Sequence, residues 1–218
     1  MRRKVVYVNE DDDAPPESPA ESLAMISRER DAVSRSMRLN PLAYYLPWGF
    51  AWLIGFGLLF LRYGPHGRVY VPMPGWLPLV VLVTLLAGAA ISTIAMSAAK
   101  GRHVHGRSSW QGAAYGWTWF LAFSGVGSTL GRFTAYLPES ERGLLWASVS
   151  VGVTAIMYLA GSAIWLSREM FVLGAWVTVV NIAGVAAGPG WHSLLVALGG
   201  GGGLILFGLA MWVRGRRR

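Results

Sequence analysis

The chain has 218 residues, of which 54% are hydrophobic and only 14% are charged, whereas an average soluble domain carries about a quarter charged residues. Charged residues concentrate near the N-terminus, in short connections and at the C-terminus, and uncharged stretches of roughly twenty residues separate them. This distribution excludes a soluble single-core domain and most soluble enzymes. It predicts an all-α polytopic membrane protein.

The N-terminal arm is predicted to hold two parts. Residues 1–17 are acidic and rich in proline, which favours a disordered tail. Ser18 and Glu21 have the spacing of a capping box, with Pro19 at the first helical position, so a helix is expected over 18–40. This basic amphipathic helix either lies in the headgroup plane or docks on a cytosolic partner, or it is a solvated lead-in to the first span.

Six apolar segments follow within residues 41–213, and a basic cytosolic tail is expected over 214–218. Each apolar segment is close to the roughly 20 residues that a helix needs to cross the hydrocarbon layer. Helices are expected because they satisfy the hydrogen bonds of their own backbone within the segment. In chain order the segments are 44–61, 76–98, 110–130, 144–166, 170–187 and 192–213. The third is the most polar and the fifth is short, so a five-span protein is the structural alternative.

The distribution of basic residues predicts the orientation. Under the six-span arrangement fifteen Lys and Arg residues fall on one side and four on the other. The positive-inside rule then places both termini in the cytoplasm of a bacterial inner (plasma) membrane. The net charge of +8 is therefore expected to attract the anionic headgroups of the lipid bilayer, and no nucleic acid is expected as a partner.

The spans contain little that could bind an ion. No Asp, Glu, Lys or Arg lies in the middle of any span, although ion-coupled carriers usually place ionisable groups there. Asn181 is the most polar mid-span side chain, and it either lines a cavity or hydrogen-bonds a neighbouring helix. It is one of the candidate functional residues.

Glycines provide the other candidates. A run of five lies near the middle of the last span and comprises Gly199, Gly200, Gly201, Gly202 and Gly203. The run is either a flexible point used in a conformational change or a tight crossing site for another helix. Pairs four residues apart, such as Gly112 and Gly116, allow close helix approach, either within the chain or between copies in a homo-oligomer.

No catalytic set emerges, so no enzyme activity and no cofactor are predicted. The sequence has no G-x-S-x-G or H-E-x-x-H motif. His103 and His105 lie in a basic connection without a third ligand nearby, so no metal site is predicted. His192 is expected to be an interfacial residue.

Four segments carry a family resemblance: 23–30 (LAMISRER), 40–49 (NPLAYYLPWG), 115–120 (YGWTWF) and 188–193 (GPGWHS). In these the chain resembles a group of small actinobacterial multi-spanning membrane proteins loosely labelled as transporters or permease-like. The resemblance covers most of the chain beyond residue 20 and implies a transport-related subunit, without site residues to transfer.

The layout also looks like the membrane half of ABC exporters. Because the chain has no G-x-x-x-x-G-K-[ST] motif, use of ATP would require a separate ATPase subunit. The alternative function is a non-transporting membrane anchor or regulator that recruits a partner through residues 18–40.

Overall fold

The structure is a computed structural model that describes residues 18–20, 22–25, 27, 40–101 and 107–217. The chain divides into two units, Met1–Leu39 and Asn40–Arg218. In the first unit the described residues are helical from position 19 onward. The predicted tail over 1–17, most of the predicted helix over 18–40, and the pair His103 and His105 lie outside the described residues.

The second unit is helical, and its described part contains no strand, which confirms the all-α class. Five of its helices are long and apolar enough to cross a membrane. The long helices are α1 (Pro41–Arg62), α2 (Trp76–Gly101), α3 (Arg107–Phe133), α4 (Glu139–Trp165), α5 (Arg168–Ala187) and α6 (Trp191–Arg216). Helix α3 is the one outside the set of five, because aromatic, glycine and hydroxyl residues lower its mean hydropathy.

Several helices begin before the predicted apolar segments, because polar or acidic residues stabilise their first turns. Helix α1 begins at Pro41, and the Asn40 side chain accepts a hydrogen bond from the Leu42 N–H at 3.2 Å. Helix α4 begins at Glu139, and Glu139 and Glu141 complement the positive end of its dipole.

The helices pack as antiparallel neighbours in the spatial order α2, α1, α6, α5, α4, α3. Helices α2 and α3 are consecutive in the chain, yet among the described residues they make at most marginal contact and occupy the two ends of this order. Helix α4 also touches the first turn of α6. The α1, α6 and α5 helices therefore form the centre of the bundle.

The buried core is drawn from every long helix except α3. Its largest side chains are those of Trp52 and Phe56 on α1, and α6 contributes Val196 at the centre. The described part of α3 contributes one fully buried apolar side chain, Leu130, outside this cluster. Because lipid is as apolar as these side chains, close packing rather than removal from water holds such a bundle together.

Candidate functional site

Asn181 lies in α5, about 9 Å from the end of that helix at a rise of 1.5 Å per residue. Its side-chain Nδ2 donates to the carbonyl oxygen of Ser148 on α4 at 2.9 Å, and its Oδ1 lies 2.9 Å from Nε2 of His192 on α6. The predicted candidate, which is half-buried, therefore connects three helices through its hydrogen bonds with Ser148 and with the buried His192.

His192 is buried within the bundle, in the first turn of α6. Its side chain is only 1% exposed. The residue follows the Gly188–Gly190 turn and Trp191, and the first turn of α6 contacts both α5 and α4. His192 is the functional candidate that the sequence did not identify.

The hydrogen bonds fix the tautomer of His192. Because Asn181 donates through Nδ2 to a carbonyl, its Oδ1 faces the ring and must accept a proton from Nε2. Turning the Asn181 amide over would bring two carbonyl oxygens together at Ser148, which is repulsive. The ring therefore carries its proton on Nε2, and Nδ1 is a bare acceptor with no hydrogen-bond partner among the described residues.

Two glycines provide the space for this pair. A Cβ on Gly184 would lie 2.7 Å from Cδ2 of His192, which real contacts do not show. A Cβ on Gly152 would lie 3.4 Å from Nδ2 of Asn181, an ordinary contact. Gly184 thus allows the imidazole to sit against the α5 backbone, while Gly152 is less restrictive.

The five glycines lie in a distorted part of α6. Residues Val196–Gly202 form a π-helical segment between the α-helical segments Trp191–Leu195 and Gly203–Arg216. Such segments are rare, widen the helix by one residue per turn and often occur at functional sites. The predicted flexible or close-packed point is therefore a real irregularity of the backbone.

Four of the five glycines face a neighbouring helix at close range. An added Cβ on Gly201 would lie 2.5 Å from the backbone nitrogen of Leu53, and one on Gly200 would lie 2.8 Å from Cε3 of Trp52, both on α1. On the α5 side, Gly199 faces Val180 and Gly203 faces the indole of Trp176. A Cβ on Gly202 would have nothing within 4 Å.

Both helices contribute glycine residues to the crossing of α1 and α6. A Cβ on Gly49 of α1 would lie 2.6 Å from Cγ1 of Ile205 and 3.0 Å from the carbonyl oxygen of Gly201. The two backbones are therefore in near contact, as in other small-residue crossings. On the opposite side of α6, the Trp176 indole N–H donates to the Gly199 carbonyl at 2.8 Å.

Two clefts lie near these elements. One of about 330 Å³ lies where α1 ends and α6 begins, between the Gly64–Gly67 turn and the α5–α6 turn. At that point Gly190 has a positive φ of 81°, and a Cβ on it would lie 2.5 Å from the nitrogen of Pro65. The second cleft, about 580 Å³, lies between α3 and α4 and is lined by Tyr115 and Gln111 among others.

The site offers hydrogen-bond and acid–base chemistry. No group of three or more metal-ligating side chains occurs in the part of the chain that the structure describes. Comparison with family models, with curated proteins and with solved structures finds no match for this chain. The bare Nδ1 of His192, beside a distorted helix, is the chemically distinctive feature of the bundle.

Proposed function

We propose that this chain is a transport-related, permease-like subunit of the bacterial inner membrane, in which α6 is the moving part. The observation that carries the proposal is the hydrogen bond between half-buried Asn181 on α5 and buried His192, which lies one turn before the π-helical glycine segment of α6. Polar groups inside membrane bundles commonly mark solute or ion pathways. The substrate is a small solute of unidentified class.

The distortion of α6 supports the role of a moving part. A π-helical segment is a common site of functional helix distortion, and helices kink where the regular hydrogen-bond ladder is interrupted. A Cβ on Gly202 would lie in open space, whereas a Cβ on its neighbours would meet α1 or α5. A rotation of α6 about this segment would therefore change its contacts with both neighbours at once.

We also propose that α3 crosses the membrane, giving six spans and two cytoplasmic termini. The 27-residue α3 is about 40 Å long at 1.5 Å per residue, enough for a crossing. It lies antiparallel to α4 along the length of that helix: Gln111 donates to the Ile164 carbonyl near one end, and Trp146 donates to Thr134 near the other. The distribution of Lys and Arg residues between the two sides favours the same arrangement.

Cysteine accessibility tests the topology. Because the chain has no native cysteine, single variants Tyr70→Cys, Tyr136→Cys and Gly215→Cys report without background. A membrane-impermeant maleimide should label the first two in intact cells and the third only after permeabilisation. Labelling of the Tyr136→Cys variant only after permeabilisation would show that α3 does not cross.

Solute flux tests transport itself. The full chain is reconstituted in vesicles loaded with a panel of isotope-labelled amino acids, sugars, nucleosides and inorganic ions. At least one solute should leave faster than from empty vesicles, and Gly202→Ala, which adds no clash, should slow it by stiffening the segment. Flux no faster than from empty vesicles across the panel would refute transport.

The alternative function has its own readout. An anchor or regulator would recruit a partner through residues 18–40. Deletion of residues 1–39, which form a unit separate from the bundle, would then abolish partner capture and leave the bundle folded. Under the transport proposal the same deletion leaves vesicle flux in place. A separate ATPase subunit would remain necessary for ATP-driven transport.

A further inference from the structure

We propose that His192 is a proton-binding site, with Asn181 as its positioning residue, and that the proton is the coupling ion of the transport proposed above. The inference rests on that proposed function for the coupling, but the binding site itself stands on its own geometry. No Asp, Glu, Lys or Arg lies in the middle of a predicted span, so the proposed proton site is a histidine.

The position that takes the proton is defined by the hydrogen bonds. Nε2–H of His192 is committed to Asn181 Oδ1, so the lone pair on Nδ1 is the open acceptor of the ring. A hydronium ion transfers its proton to Nδ1: one O–H bond breaks and leaves a neutral water molecule, one N–H bond forms, and the neutral imidazole becomes an imidazolium with one positive charge. Release is the reverse step, and no other bond is made or broken.

The protonated ring is poorly accommodated in the observed packing. An imidazolium has two donors, and Nδ1–H would have no acceptor there among the described residues. A buried charge with an unmade hydrogen bond is costly. Because His192 is 1% exposed, protonation favours a different position of the first turn of α6, in which Nδ1–H reaches water or another acceptor.

The charged groups around the ring do not supply that acceptor. At this end of the bundle α1 and its turn carry Arg62, His66 and Arg68, and α4 carries Glu139, Glu141 and Arg142. The facing parts of α5 and α6 carry no charged residue. None of these side chains hydrogen-bonds to Nδ1, which has no partner among the described residues.

The cleft of about 330 Å³ provides the approach for the proton. Pro189 and Trp191, which precede His192 in the chain, line it together with the Gly64–Gly67 turn. Under the proposed topology this cleft opens to the outside of the cell. The glycine segment begins one turn further along α6, so movement of the first turn has a deformable region directly behind it.

Nitrogen NMR tests the proton site directly. The chain has four histidines, and replacing His66, His103 and His105 by Gln leaves His192 as the only ¹⁵N-histidine in the full chain. At alkaline pH, Nε2 should be protonated and Nδ1 bare; on acidification Nδ1 should gain a proton while the helical circular dichroism signal persists. A protonated Nδ1 at alkaline pH, or a Nδ1 that stays bare until the protein unfolds, would overturn the site.

A thiol probe reports the linked movement. Ala197 lies in α6 and is 1% exposed, so an Ala197→Cys variant should react slowly with maleimide at alkaline pH. The reference protein is Ala197→Cys combined with His192→Gln, because its thiol has the same intrinsic pH dependence. The ratio of the labelling rate of Ala197→Cys to that of the reference protein should rise several-fold from alkaline to acidic pH. Equal pH profiles for the two proteins would contradict the movement.

The vesicle assay separates coupling from transport. For the solute identified in the flux panel, an imposed proton gradient should change the flux of the wild type, and the ratio of flux with and without the gradient should fall to one in His192→Gln. His105→Gln, which lies in the basic connection on the opposite side of the membrane under the proposed topology, is the matched control and should keep the wild-type ratio. An unchanged ratio in His192→Gln refutes the coupling while transport stands; no flux in the wild type refutes transport, and the NMR titration alone then decides the proton site.

Discussion

Two sets of glycines in this bundle have opposite surroundings. In α6, an added Cβ on Gly199, Gly200, Gly201 or Gly203 would meet a neighbouring helix within 3.0 Å. In α3, a Cβ on Gly112, Gly116, Gly125, Gly127 or Gly131 would meet nothing within 4 Å. Both sets lie in long helices, yet only the first is explained by packing within the chain.

The difference separates the centre of the bundle from its edge. The α6 glycines allow α1 and α5 to approach on two sides, and this approach positions the polar pair of His192 and Asn181. The α3 helix contacts α4 along one face through the ring of Tyr115, whose hydroxyl donates to the Met157 carbonyl at 2.6 Å. Its glycines lie outside that contact.

The largest effect is expected for Gly201→Ala. Its Cβ would lie 2.5 Å from the Leu53 nitrogen, a backbone atom that cannot move without shifting α1. Overpacking of this kind costs about 3 kcal/mol, so thermal stability in detergent should fall strongly. Gly202→Ala, one position along and free of contacts, is the matched control and should be neutral or slightly stabilising. Equal destabilisation of both variants would mean that backbone freedom, not the crossing, is what these glycines provide.

Asn181→Leu should give the next largest effect, because it leaves Nε2–H of His192 buried without its acceptor. An orphaned buried donor costs about 1–3 kcal/mol. The double variant Asn181→Leu with His192→Phe removes both partners and should be more stable than the single one. Unfolding in a denaturing detergent measures the stability of the wild type, of the single variants Asn181→Leu and His192→Phe, and of the double variant; additive losses in the double variant would show that the two side chains are not coupled.

The sequence predicted the helices well because five of them contain long apolar runs, and it singled out Asn181 because that side chain is polar in an apolar surrounding. It could not find His192, because α6 is apolar on all sides and its pattern does not say which face turns toward α5. The same limit applies to glycine: the spacing of Gly112 and Gly116 is typical of a helix crossing, but the chain itself makes none there. Packing between the helices determines which face of each helix turns toward its neighbours, and the sequence pattern does not predict that packing.

A smaller effect is expected for Trp176→Phe. The indole N–H donates to the Gly199 carbonyl at 2.8 Å, and this bond joins α5 to the π-helical segment. Side-chain hydrogen bonds between membrane helices contribute about 0.6 kcal/mol on average, so the melting temperature should fall slightly. Trp117→Phe is the control, because that ring is 64% exposed. A loss no larger in Trp176→Phe than in this control would contradict a stabilising role for the bond.

The smallest effect distinguishes the two glycine sets most directly. Gly116→Ala places a Cβ in open space and removes the helix penalty of glycine, about 1 kcal/mol relative to alanine. Stability of the isolated chain in dilute detergent should therefore stay the same or rise. The same variant should be measured at high protein density in a bilayer, where a second copy could cover α3. Loss of stability only in the bilayer would show that the α3 glycines contact another copy of the chain, whereas loss in dilute detergent would contradict the open environment that α3 has within this bundle.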